Sequence, residues 1–103
     1  QDVIQKIDWP QVISDNNEHV LRVKFAITQP RDLHLILFNK QGWKELGRVK
    51  VPAKQPGEFT LPIANILDEY PEGEYAWTIW LTEKDKQAEL TKPRGKHFKV
   101  VKP

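Results

Sequence analysis

The sequence contains no cysteine, no methionine and a single serine, Ser14. Without cysteine there is no disulfide frame, no thiol nucleophile and no thiolate metal site. Ser14 lies in "VISDN", with no Gly-x-Ser-x-Gly around it, which removes the usual serine acyl-transfer signature. No phosphate loop or dinucleotide fingerprint occurs. No apolar run reaches the roughly 20 residues that cross a bilayer as a helix. His19, His34 and His97 lie far apart, so only the fold could gather them around a metal. Glycoside hydrolysis needs two carboxylates across a cleft, and a chain this small has little room for one. The expectation is a protein that is not an enzyme and carries no metal or cofactor. The acidic corner of Asp68, Glu69, Glu72 and Glu74 leaves a calcium site open, though its spacing matches no loop motif.

What remains is enough for one domain. The 103 residues suit a single module spanning 1–103. Its start at Gln1 reads as a piece processed or excised from a larger protein. The net charge is +2 but uneven. Residues 57–83 hold six acids and no Lys or Arg, and residues 84–103 hold seven Lys or Arg against Asp85 and Glu89. Solvated strand faces and loops account for such a split, and a basic tail that touches an anionic partner is the alternative. So small a net charge, with no known motif, argues against nucleic acid.

Apolar alternation is the strongest positive signal. Leu21, Val23, Phe25 and Ile27 share one parity in "VLRVKFAIT" (20–28). In "DLHLILFN" (32–39), Leu33, Leu35 and Leu37 oppose His34, Ile36 and Phe38. Further alternating runs are "GRVKV" (47–51), "EFTLPI" (58–63), "EYAWTIWLT" (74–82) and "HFKVV" (97–101), with another near residues 3–10. Pro, Gly and Asn fall between them, where turns need them. "ANILDEY" (64–70) suits one helical turn. Pro62 cannot donate to a ladder, which predicts an edge or an ending for its strand. About seven short strands at this spacing predict an all-β, antiparallel, immunoglobulin-like or fibronectin-like β-sandwich. "ILDEYPEGEY" has the layout of a tyrosine corner, with Tyr75 bonding back to the backbone near Leu67.

Parity separates the tryptophans. Trp77 falls with Tyr75, Ile79 and Leu81 and is expected in the core, whereas Trp80 falls on the other face. In an immunoglobulin-like strand order, Trp80 neighbours His34, Ile36 and Phe38, with Thr78 beside them. That patch is either a contact surface or is covered by the loop at 83–96 or by another domain. Trp43, after "NKQG", is an exposed hairpin tip or a rim plug. It shares parity with Val49 and Val51 unless Gly47 marks a bulge. Trp9 and Tyr70 read as packing residues. The loop "TEKDKQAELTKPRGKH" (82–97) is long for a hairpin. Asp85, Lys86, Gln87, Glu89 and Arg94 could bond sugar hydroxyls, Arg94 or Lys96 could meet a sulfate, and a plain solvated connection is the alternative.

The stretch "RDLHLILFNKQGWKELGRVKVPA" (31–53) has Arg-Asp-Leu, alternating apolar residues, Gly-Trp at the turn and then Val-x-Val-Pro-Ala. It resembles small β-sandwich modules attached to bacterial agarases and related enzymes that degrade algal polysaccharides. The resemblance covers the rest of the chain in pattern only. It implies a secreted, non-catalytic carbohydrate-binding module, or a spacer, linked to a catalytic domain in the same chain. The implied partner is a polysaccharide, an algal galactan such as agarose. A monomer is expected, with neither a nucleic acid nor a membrane as partner. Sugar rings stack their C–H faces on aromatic rings that tolerate a polar surround. The candidate platforms are therefore Trp43 and Trp80, with Phe38 in the same patch. His34, Asn39, Lys40 and Arg94 are the candidate hydroxyl partners. An immunoglobulin-like spacer or adhesion domain that binds no sugar is the competing expectation.

Overall fold

The alternation carries directly into strands. A computed structural model describes all residues, 1–103, as β1 (Val3–Asp8), β2 (Val12–Ile13), β3 (His19–Ala26), β4 (Arg31–Asn39), β5 (Lys44–Ala53), β6 (Gly57–Ile63), α1 (Ile66–Glu69), β7 (Gly73–Glu83) and β8 (Arg94–Val100). The strands form two sheets, ordered β1-β3-β6 and β2-β8-β7-β4-β5. The fold is an immunoglobulin-like β-sandwich. Pro62 pairs with Val20 on β6, the edge strand of the smaller sheet, where its missing N–H costs no ladder bond.

The core lies between the sheets. Leu21, Val23 and Phe25 of β3 face Leu33 and Leu35 of β4 and the inward row of β7, which are buried together. Trp77 is 4% exposed, as its parity predicts. Trp9 is equally buried between the sheets, edge-on to Trp77 at 5.8 Å and to Phe98 at 5.6 Å. Neither indole N–H bonds to another protein group, and the aromatic packing holds the rings. Truncating such a ring costs about 3–5 kcal/mol.

The tyrosine corner forms, with a different acceptor from the one expected. The Tyr75 hydroxyl donates to the carbonyl of Pro71, four residues upstream, rather than near Leu67. The turn at 71–73 folds the chain back at once and leaves the Pro71 oxygen over the ring's end.

Two strands depart from the sequence reading. Residues 94–96 join β8 although their side chains show no apolar pattern, because the backbone of β7 supplies the ladder from Trp77 to Ile79. β2 is only two residues long and runs parallel to β8, held by Lys99 N to Gln11 O and Val101 N to Ile13 O, both 2.9 Å. A pair of residues carries no period that alternation could reveal.

Candidate ligand-binding face

The outward face of the larger sheet is a grid. On β4, His34, Ile36 and Phe38 point away from the core, and their partners on β7 are Trp80, Thr78 and Ala76. On β5 the partners are Lys50, Arg48 and Glu45. Cross-strand partners share a face, so three rows result: Lys50–His34–Trp80, Arg48–Ile36–Thr78 and Glu45–Phe38–Ala76. The outer rows stand four residues apart, about 14 Å at the usual rise of a strand. Ile36 in the middle row is 4% exposed despite pointing outward, hemmed by the long side chains around it.

An aromatic pair sits at each end. His34 and Trp80 stack with centroids 5.1 Å apart and planes 4° from parallel. The His34 Nε2 lies 2.9 Å from Thr82 Oγ1, which fixes the ring's rotation. Burial holds the His34 pKa below its ordinary value; Lys50 and Arg48 push the same way against Asp32. At the other end, Phe38 meets Trp43 edge-on at 6.1 Å, and Trp43 meets His97 at 6.4 Å.

A bulge puts Trp43 there. Leu37 pairs with Gly47 but Phe38 pairs with Glu45, which leaves Leu46 without a partner. That extra residue breaks the parity that Trp43 would otherwise share with Val49 and Val51. Trp43 itself closes the turn after Gly42, with φ 49°, and is 55% exposed. A left-handed backbone is costly for a bulky residue.

Trp80 borders a groove of about 470 Å³, within the size range of small-molecule sites, about 300–1,000 Å³. His34 and Trp80 form its floor, and Arg48 and Lys50 flank it from β5. Residues 85–87 wall the end, and Trp80 is half-buried. The start of that loop is pinned. Asp85 N donates to Oδ2 of the buried Asp32 at 2.9 Å, and Lys86 N donates to Glu83 O at 3.0 Å. Further along, Leu90 N donates to Leu81 O at 2.8 Å, so this connection is no free lasso.

The other expected residues scatter. Asn39 Oδ1 accepts from Gln41 N at 2.9 Å, shaping the Trp43 turn. Lys40 N donates to Glu74 O at 3.0 Å, and its Nζ lies 3.9 Å from Glu74. Arg94 lies off this face: it pairs with the inward Ile79, and its Nη1 donates to Ile4 O at 2.7 Å. Its parity with Phe98 and Val100 carries that signal in the sequence. Lys96 shares that parity, paired with the inward Trp77. The acidic corner disperses too, with Asp68 accepting from Asn16 Nδ2 and Glu72 from Lys102 N. No group of three or more His, Asp or Glu side chains gathers to hold a metal. In the "RDL" stretch, Arg31 forks onto Asp2 (3.0 and 3.1 Å) and Asp32 holds the loop, so both act as clamps.

Arg48 and Lys50 are absent from the sequence-based candidates. Their parity opposite Val49 and Val51 is visible, but only the β4–β5 register sets them beside His34 and Trp80.

The architecture defines a small immunoglobulin-like β domain with an aromatic and basic outward sheet face. No family model matches the sequence, and no curated protein matches it. Among solved structures, the chain is similar to a CARDB domain from Pyrococcus furiosus, determined with two metal ions. The TM-score is 0.54 at 17% identity, over 92% of this chain and 84% of that one. It is also similar to part of a family 76 glycoside hydrolase from a bovine Bacteroides thetaiotaomicron strain, with TM-score 0.51 at 14% identity. The match covers 93% of this chain but spans only 20% of that enzyme. At such identities the likeness is one of fold.

Proposed function

We propose that this domain is a non-catalytic polysaccharide-binding module that uses the outward face of β4, β5, β7 and β8. Trp43 carries the reading. A tryptophan 55% exposed, in a left-handed turn at φ 49°, is strained and spends little of its ring on the core. Strain kept at an exposed ring points to a ligand that uses the ring. Trp80 and the Phe38–Trp43 pair serve as two stations along one face, on rows about 14 Å apart by strand rise, a spacing suited to an extended chain rather than one sugar. Phe38 backs Trp43, and Asn39 and Lys40 hold its turn. The ligand class is an algal galactan of the agarose and carrageenan kind, in keeping with the resemblance of residues 31–53. The module works outside the cell as a monomer and tethers a catalytic domain in the same chain, raising that domain's local concentration at the polymer. It needs no metal or cofactor.

A spacer role is the second reading. A neighbouring domain seated on Trp43 would also explain its exposure here, and a comparable fold occupies one fifth of a glycoside hydrolase chain. Affinity electrophoresis in agarose, carrageenan, laminarin and cellulose gels separates the two. Retardation in a galactan gel is expected, and its loss in Trp43→Ala and Trp80→Ala. Free migration in every gel leaves the spacer.

A further inference from the structure

We propose that the groove beside Trp80 selects an anion-bearing polysaccharide, seating a sugar's sulfate or carboxylate between Lys50, Arg48 and Lys86 while the ring meets Trp80. The inference rests on the sugar-binding reading and narrows its ligand to a charged polymer.

The rows supply the geometry. Lys50 is in register with His34, and His34 with Trp80, so the Lys50 backbone stands two strands from that of Trp80, about 10 Å at usual strand spacing, and its ammonium group lines the same groove. Arg48 is one row away on the same strand. Lys86 reaches the groove from the pinned loop.

The partners supply the chemistry. Arg22, Arg31 and Lys40 each have a carboxylate within 4.0 Å, whereas Lys50 and Lys86 have none. Arg48 gives its Nε and one terminal nitrogen to Glu45 (3.2 and 2.9 Å), and its other terminal nitrogen makes no bond. Asp85 is the acid in the groove lining, and Gln87 its neutral polar member. Ammonium and guanidinium groups donate and never accept. A hydroxyl needs both roles filled, but a sulfate or carboxylate oxygen only accepts. Such charge-assisted bonds are about twice as strong as neutral ones.

The opposite sheet shows what an ordinary charged face looks like here. There Lys6 and Lys24 are cross-strand partners and, like Lys50, have no carboxylate within 4.0 Å, but Glu58 is in register with Lys24 and Asp8 with Arg22, Arg22 pairs with Glu58, and no aromatic side chain lies among them.

The test is calorimetric titration with oligosaccharides of agarose (neutral), carrageenan (sulfated) and alginate (carboxylated). A charged oligosaccharide should bind at least about fivefold tighter than the neutral one, and higher salt should narrow the gap. Its better binder of the two anions identifies the substituent. Replacing Arg48→Gln and Lys50→Gln together should cost the charged ligand about fivefold or more, while Lys6→Gln with Lys24→Gln should leave it unchanged. Equal loss in both pairs would reveal diffuse charge and overturn the groove. Agarose bound as tightly as the charged sugars, with no effect of the groove pair, overturns the anion but keeps the sugar. No heat from any oligosaccharide removes both.

Discussion

His34 and Trp80 lie ring on ring, 5.1 Å apart and 4° from parallel, across the β4–β7 pair. One face of the indole is therefore taken by protein, which leaves the other face and the edge that borders the groove for the proposed sugar. The stack also ties the site to pH. Burial lowers the His34 pKa below 6.5, so an unfolded chain binds that proton more readily than the folded one. The sign follows: His34 leaves stability intact above 6.5 and erodes it as pH falls below that value. Urea denaturation of the native protein and of His34→Gln across that range should show the native protein losing more stability on acidification. Parallel pH profiles would contradict the assignment.

Trp43 should be dispensable to the fold. Trp43→Gly removes a left-handed strain of about 1–2 kcal/mol and gives up contacts with Phe38 and His97. Chemical denaturation should find stability within about 1 kcal/mol of the native protein, with retardation in galactan gels lost. A large destabilisation would make Trp43 a packing residue.

Asp32 is a positioning residue for the groove. Its buried carboxylate accepts from Asp85 N, at the start of the segment that walls the site. Asp32→Ala leaves that N–H without its partner and should cost about 1–3 kcal/mol, together with weaker polysaccharide binding. Asp32→Asn keeps an acceptor oxygen and should restore the binding. Failure of Asn to do better than Ala would refute the positioning role.

The corner bond from Tyr75 to Pro71 concerns the fold alone. Tyr75→Phe should lower stability by about 1–2 kcal/mol without altering affinity for any polysaccharide, read by denaturation and calorimetry on the same sample.

The fold was legible because parity is a backbone property. Leu33, Leu35, Leu37 and Trp77 advertise the core by position alone, and Trp80 is the residue that parity leaves outside. The face was half legible. His34, Phe38 and Trp80 share one strand parity each, and the strand order brings them together. Lys50 and Arg48 join them through a register that depends on one bulged residue, Leu46, whose identity looks like any other strand leucine. Arg94 went the other way: a cation in a long polar stretch reads as loop, but backbone pairing with β7 turns it inward to Ile4 O. Local pattern reports faces; ladder partners report neighbours.

The most direct measurement is the response of the four indole N–H resonances to agarose and carrageenan hexasaccharides, added in turn. Trp9 and Trp77 are buried in the core and Trp43 and Trp80 lie on the outward face. The expected result is movement of the Trp43 and Trp80 signals with added sugar while those of Trp9 and Trp77 stay still. Four unmoved signals, or binding that shifts neither outward indole, would contradict a sugar site on this face.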